Sequence, residues 1–319
     1  MTANSSATRP RPQALSQRAG LWWGLLGITA FSFTLPLTRA AVDDGGMSPL
    51  FVGSGRAVVA ALLAAAALAL TRQRPPRGSQ WARLAVVAAG VVVGFPVLTS
   101  FAMTAVPAGH GAVVVALLPA ATAVTAVLRE RERPPGRFWA VAAVGALAAV
   151  AFASARGGFG GPHWSDLLLL GAVAAAGIGY AEGGLLAREL GAWQTISWAL
   201  VLSAPLMCAL TAVTAVRHPP AATAAEWTAF AYLGVVSMFL GFFAWYRGLA
   251  VGPMSRVSQV QLVQPVLSVC WAALFLGEPL TWPAVLGGAA VVLCAGAAVR
   301  VRLGSGAAPA RRTGPGGCG

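Results

Sequence analysis

The chain has 319 residues, of which 57% are hydrophobic and only 10% charged, with a formal net charge of +13 at pH 7. A soluble globular domain carries about a quarter charged residues, so this composition excludes one and points to a polytopic membrane protein. There is no Lys, and the Arg cluster in short connections between apolar runs, the pattern of topology signals and not of a nucleic-acid partner.

Residues 1–20 are polar and rich in Pro, Ser and Arg, and read as a disordered cytosolic arm. The first apolar span covers residues 21–37. A cleaved signal peptide competes with it, since basic residues precede it and Ala40 and Ala41 follow, but its length and the many later spans favour a retained helix. Nine more spans of roughly bilayer length follow at 49–70, 81–103, 107–128, 138–155, 167–186, 193–216, 227–249, 253–275 and 282–299. Trp22, Trp81, Trp139, Trp164, Trp193, Trp227 and Trp282 stand near span ends, as belt residues do. With both termini inside, only Arg39, Arg156 and Arg217 of the arginines fall outside, so an integral plasma (inner) membrane protein with cytosolic termini is expected. Residues 304–319, rich in Gly, Ala and Pro, read as a disordered cytosolic tail.

One fixed offset superposes Pro107 on Pro253, Pro119 on Pro265 and Glu132 on Glu278, and also His110 on Arg256. The chain therefore divides into two halves of five spans, at 21–155 and 156–303. Five is odd, so the second copy enters the membrane from the opposite side, which predicts an all-α fold of ten transmembrane helices in two inverted repeats.

The stretch 253–279 combines membrane length with residues lipid disfavours. Ser258, Gln261, Gln264 and Ser268 recur at helical spacing and give one polar wall, and Pro265 frees a backbone carbonyl in its middle. A segment of this kind is expected to line a cavity inside a bundle. Interhelical hydrogen bonding is the plainer account of the same polar residues.

These residues carry a family resemblance. Trp23 and Gly24, Arg56, the run GFFAWYRGLAVGPMSRVSQVQLVQPVLSVCWAALFLGEPLTW from Gly241 to Trp282, and Gly287, Gly288 and Gly296 resemble EamA-type members of the drug/metabolite transporter superfamily. The resemblance covers residues 21–299 and is stronger in the second half, because the first ends its corresponding motif in RERERP where the second has LGEPLT. It implies ten-helix carriers that transport, often export, amino acids, other metabolites or toxic compounds through a central cavity. It implies no particular solute.

Glu182, in GIGYAEGGLL beside Tyr180, is the candidate for coupling or for binding a cationic group, against a structural pair with an Arg. Arg56 must lie within the second span, where it attracts a carboxylate or serves pairing and topology. His110 and Arg256 take repeat-equivalent places in the first turns of their helices and mark two mouths of one cavity, or else His110 makes an interfacial hydrogen bond. Substrate-binding candidates are Trp23, Ser32, Phe33, His110, Tyr180, Glu182, Trp245, Ser258, Gln261 and Gln264; Thr34, Tyr246 and Trp271 lie near them. Aromatic walls suit amphipathic solutes, although packing explains an aromatic more often. Glu132 and Glu278 are expected to share a local role such as holding the following loop, and Gly179 and Gly183 to allow close helix packing.

The expected protein is a secondary transporter working by alternating access around a site formed by the first, fourth, sixth, eighth and ninth helices. Its expected partners are the lipid bilayer and a small-molecule solute, and a homodimer is compatible with the pattern. No ATP-binding loop is present, and no cofactor or metal site is expected: Cys208, Cys270, Cys294 and Cys318 lack metal spacing. A membrane-embedded enzyme would need a constellation of His, Asp or Ser at one depth, and the scattered His supply none. A scaffold would have no need of a symmetric polar interior.

Overall fold

The computed structural model describes residues 12–43, 45–130, 163–251 and 260–280, with 136–137, 139–140, 143–145, 147, 282, 285–290, 292–294 and 296–297. Among the described residues every regular element is helical and no strand occurs. Among the described residues, seven helices are long and apolar enough to cross a membrane: Ala19–Val42, Pro49–Leu70, Gln80–Ala102, Ala108–Arg129, Trp164–Leu190, Ala192–Arg217 and Ala224–Val251. They coincide with the first to fourth and the sixth to eighth spans expected from the sequence, whose ordinals are kept below. The ninth is present as a shorter apolar helix, Gln261–Leu276. Most of the fifth, 138–155, and about a third of the tenth, 282–299, lie outside the described residues.

Local chemistry sets the helix ends. Ser48 starts the Ala-rich second span, its hydroxyl accepting from the Phe51 amide at 3.2 Å with Pro49 at the first helical position. Thr223 and Glu226 form a reciprocal capping box at the start of the eighth. Gly191, at φ 100°, makes the one-residue corner between the sixth and seventh spans, where any side chain would be strained.

Several spans are interrupted within the membrane. The first breaks at Phe33, between Pro12–Ser32 and Thr34–Val42. In the fourth, Pro119 has no amide to donate, and the chain tightens just before it into a short-range Leu117 to Val114 backbone bond of 3.1 Å. The ninth passes through a 3₁₀ turn, Gln261–Val263, before Pro265. The third and eighth carry π-helical segments, Ala88–Gly94 and Leu233–Gly241.

Small residues let these helices approach. A Cβ on Gly27 of the first span would lie 2.8 Å from the Trp245 amide nitrogen, and one on Gly248 would lie 2.7 Å from that of Gly24. The first and eighth spans therefore run antiparallel in backbone contact. The third and sixth do the same: Gly90 faces Ala175 and Gly179, while Leu98 reaches Gly171. The fourth and sixth run parallel, with His110 meeting Asp166 near one end and Arg129 meeting Glu182 near the other. Leu62, Leu70, Leu128, Val216 and Leu274 stay exposed on the outside of the bundle, where lipid would cover them. Two alanine substitutions separate backbone contact from ordinary packing. Gly90→Ala, whose Cβ would strike the Ala175 carbonyl, is expected to destabilise by about 2 kcal/mol, whereas Gly171→Ala, 3.4 Å from a flexible Leu98 methyl, is expected to be close to neutral; thermal unfolding in detergent measures both.

Candidate solute-binding region

The break at Phe33 is where three spans are tied by polar contacts. The Ser32 carbonyl accepts from the Ser268 hydroxyl at 2.7 Å, and the Ser32 hydroxyl accepts from the Trp271 indole at 2.9 Å while donating to the Thr29 carbonyl. Thr34 and Ser237 share a hydroxyl bond of 2.8 Å. Phe33 stacks on Trp271 with centroids 4.6 Å apart. The first, eighth and ninth spans thus meet here through side-chain hydroxyls, an indole and the Ser32 carbonyl, which Pro36, four residues on, has no amide to bond.

Beside this junction the sixth and eighth spans bring aromatic rings together. Tyr180 lies 6.3 Å from Trp245 and 5.9 Å from Phe242, which packs on Phe31 of the first span at 4.8 Å. Gly183 makes room for the Tyr246 hydroxyl, which a Cβ there would overlap. Trp245 and Tyr246 are fully enclosed, yet the Trp245 indole nitrogen and the Tyr246 hydroxyl have no hydrogen-bond partner. On the ninth span the same holds for Gln261 Nε2 and Gln264 Oε1. A buried polar atom left unpaired costs about 1–3 kcal/mol, so four of them on two neighbouring-numbered spans are a departure from ordinary packing.

Charged contacts hold the two ends. At one end Glu182 accepts from Arg83 of the third span and from Arg129 Nε of the fourth at 2.9 Å, while Arg83 also binds Glu189 at 2.6 Å. At the other, His110 Nε2 lies 2.6 Å from Asp166 Oδ1, both side chains buried, and Asp166 also accepts from the His163 amide at 3.0 Å. There too, Glu278 accepts from the amides of Ala108 and Gly109 at 2.7 and 2.9 Å. It holds the first turn of the fourth span, a helix N-terminus with unused donors, where the sequence suggested the loop that follows it.

The candidate residues therefore separate by depth. Ser32 and Phe33 join Ser268 and Trp271; Tyr180 joins Trp245; the turn carrying Gln261 packs on the first span. Glu182 follows Tyr180 by two positions, about 200° around the helix, and takes part in the arginine cluster. Trp23 is about 14 Å along the helix from Ser32 and lies under Arg247, whose guanidinium carbon is 5.4 Å from the ring centroid. Ser258, Arg256 and Glu132 lie outside the described residues. Asp166, and Arg83 and Arg129 as partners of Glu182, escaped sequence reasoning. Asp166 looks like an ordinary first-turn acid, and the arginines like topology signals. Among the described residues no group of three or more His, Cys, Asp or Glu could hold a metal ion.

Comparison with known proteins places this all-helical membrane architecture in a class. The EamA-like transporter family matches residues 18–155 and again 163–299, and the chain belongs to that family. It is 43% identical over 277 residues to "Uncharacterized transporter YdeK" of Bacillus subtilis (strain 168), covering 87% of this chain and 96% of that one. It is 29% identical over 274 residues to a "Probable terminal-alkyne amino-acid exporter" of Streptantibioticus cattleyicolor, covering 84% and 89%. A solved crystal structure, titled only as that of a protein, shares the fold at a TM-score of 0.59 and 20% identity, over 88% of this chain and 96% of its own.

The ionic contacts generate a stability prediction. Glu182→Gln leaves Arg83 and Arg129 facing a neutral amide, and because Arg129 is half exposed the expected loss is about 2 kcal/mol, below that for a fully buried pair. Denaturant unfolding in detergent checks it; the double variant Glu182→Gln/Arg129→Gln is expected to lose less than the two single losses added together.

Proposed function

We propose that this EamA-family transporter is a secondary carrier that exports a small metabolite, amino acid or drug-like solute by alternating access. In this reading ten helices form two inverted five-helix repeats, 21–155 and 156–303, between a cytosolic arm at 1–20 and a cytosolic tail at 304–319. The protein sits in the plasma (inner) membrane, and a homodimer is compatible with it. Several features support the repeat: the family matches the chain twice, and the helix interruptions before Pro119 and Pro265 and the two π-helical segments fall at corresponding places. The third span runs antiparallel to the sixth, and the first runs antiparallel to the eighth. Since the first and third are joined through one intervening span, they point the same way, and the first opposes its counterpart, the sixth.

The observation that carries the reading is the set of enclosed, unpartnered polar atoms on Trp245, Tyr246, Gln261 and Gln264 beside the broken first span. A solute with polar groups would supply the missing partners, and binding beside interrupted helices at a repeat interface is the arrangement of secondary transporters. Ser32, Phe33, Tyr180, Trp245, Gln261 and Gln264 form the proposed surface, with Ser258 joining it on the sequence pattern of its helix. Trp23 and His110 lie toward the two ends and serve the mouths. The amino-acid exporter named among the relatives supports an amino acid as solute and export as the direction.

Rocking of the repeats has to open one end while the other stays shut. The arginine cluster around Glu182 is the contact to be broken at one end, and the His110 to Asp166 pair with the Glu278 cap is the contact at the other. Any coupling through Glu182 would work by exchanging its arginine partners for a proton. Flux into reconstituted liposomes, with a panel of amino acids, amines and amphipathic drugs and with or without a pH gradient, tests the function. At least one solute is expected to move, and Trp245→Phe or Gln264→Leu to slow it at least tenfold; no flux for any solute overturns the carrier. Glu182→Gln is expected to blunt the pH dependence, and unchanged flux and pH dependence would remove it as the coupling residue.

A further inference from the structure

Arg56 is 1% exposed, among the largest side chains wholly enclosed by the protein. It stands seven residues into the second span, about 10 Å from that helix's start. Its described contacts are two neutral hydroxyls: Nη1 donates to Thr38 Oγ1 at 3.3 Å and Nη2 to Thr99 Oγ1 at 3.2 Å, both long for a guanidinium. Its Nε has no partner. Among the described residues no carboxylate pairs with it, and the described acids toward that end have other partners. Asp43 pairs with Arg39 at 2.5 Å, Asp166 with His110 at 2.6 Å, Glu226 caps Thr223 through Oε2 while its Oε1 is unpartnered, and Glu278 caps the fourth span.

Arginine is the side chain least able to shed its charge, and a buried charge is ordinarily matched by an opposite one. Two hydroxyls satisfy hydrogen-bonding geometry without neutralising anything. They hold the fork from its far end and leave the Nε edge open, and a guanidinium edge is the group that takes a carboxylate through two parallel bonds. The fold itself does not ask for the charge. In the proposed repeat the offset that matches Pro107 with Pro253 puts Arg56 opposite Leu202 of the seventh span, which is apolar.

Arg56 also connects with the proposed solute surface. Thr38 lies one helical turn beyond Thr34, which bonds Ser237, and Thr34 adjoins the junction of Ser32 with Ser268 and Trp271. Thr34 and Thr38 thus share one face of the first span leading to the guanidinium, while Ser32, two positions before Thr34, turns to the ninth span beside it. Thr38 and Thr99 belong to different spans, the first and the third, so a movement that parts these spans breaks weak contacts and uncovers the cation.

We propose that Arg56 is the anion anchor of the transport route, binding the carboxylate of an apolar amino acid or carboxylic acid whose body lies against Phe33 and Trp271. This rests on the carrier function above and adds the chemical class of its solute. When the spans part, the carboxylate replaces one hydroxyl contact and fills the open Nε edge; when they close again it is released as the hydroxyls return.

The test uses matched acids and amides, hexanoate with hexanamide and phenylalanine with phenylalaninamide, at constant ionic strength. Scanning fluorimetry of the purified full chain is expected to show stabilisation by the acids and little by the amides. Arg56→Gln is expected to abolish the acid-dependent shift. Arg56→Lys, which keeps the charge and guards against misfolding, is expected to weaken apparent affinity at least tenfold. Equal shifts for acids and amides, no shift for either, or an acid shift unchanged in Arg56→Lys overturn the anchor. Flux of the same compounds separates the two ideas. Arg56-dependent acid binding with no flux keeps the anchor and removes the carrier, whereas flux indifferent to the carboxylate and to Arg56→Lys keeps the carrier and removes the anchor.

Discussion

The constraint on which this structure depends is that lipid offers no hydrogen bonds, so each backbone group freed by a broken helix must find a partner inside the bundle. The first span shows how this is met. Its break at Phe33 is closed from outside by Ser268 and Trp271 of the ninth span, while Thr34 just beyond it is held by Ser237 of the eighth. These contacts cost the bundle little as long as the spans stay together. They also fix where the bundle can work, because a hydroxyl that serves a neighbouring helix can be exchanged for a solute or for water.

Backbone proximity supplies the complementary rigidity. Where the first and eighth spans cross at Gly24, Gly27 and Gly248, and the third and sixth at Gly90 and Gly179, there is no side chain to slide or repack. Each pair is therefore a stiff unit. Side-chain contacts hold the ends instead: the arginines around Glu182 at one, and His110, Asp166 and Glu278 at the other. Glu278 is instructive because it reaches from the ninth span to the first turn of the fourth, so the two proline-interrupted helices are clipped together at that end.

Much of this was legible in the sequence because the signals are one-dimensional. Span length and apolarity place seven described helices where the sequence put them, and the matched prolines foretold the interruptions before Pro119 and Pro265. Three-dimensional pairing was not legible. Nothing local distinguishes Arg83 and Arg129 from topology arginines until the fold sets them around Glu182, and Asp166 reads as a first-turn acid until His110 arrives from a helix over fifty residues earlier. The break at Phe33 does have a local mark, Pro36, which has no amide for the Ser32 carbonyl four residues earlier, but its partners come from the far end of the chain and could not be read locally.

In the described residues the two family-matched halves share backbone features but differ in chemistry. The interruptions before Pro119 and Pro265, the π-helical segments and the close crossings have counterparts, whereas the break at Phe33 has none in the sixth span, Trp164–Leu190, which is continuous. The unpaired polar atoms are unevenly placed: Trp245 and Tyr246 carry them on the eighth span and Gln261 and Gln264 on the ninth, while the second has the buried cation with its free Nε and the seventh only the Ser197 hydroxyl. A solute held between them would meet amide and indole donors and acceptors at one end and a guanidinium at the other. A symmetric scaffold has thereby been given a polar, directional interior, and a molecule with a distinct charged end and an apolar body is the kind it would hold in one orientation.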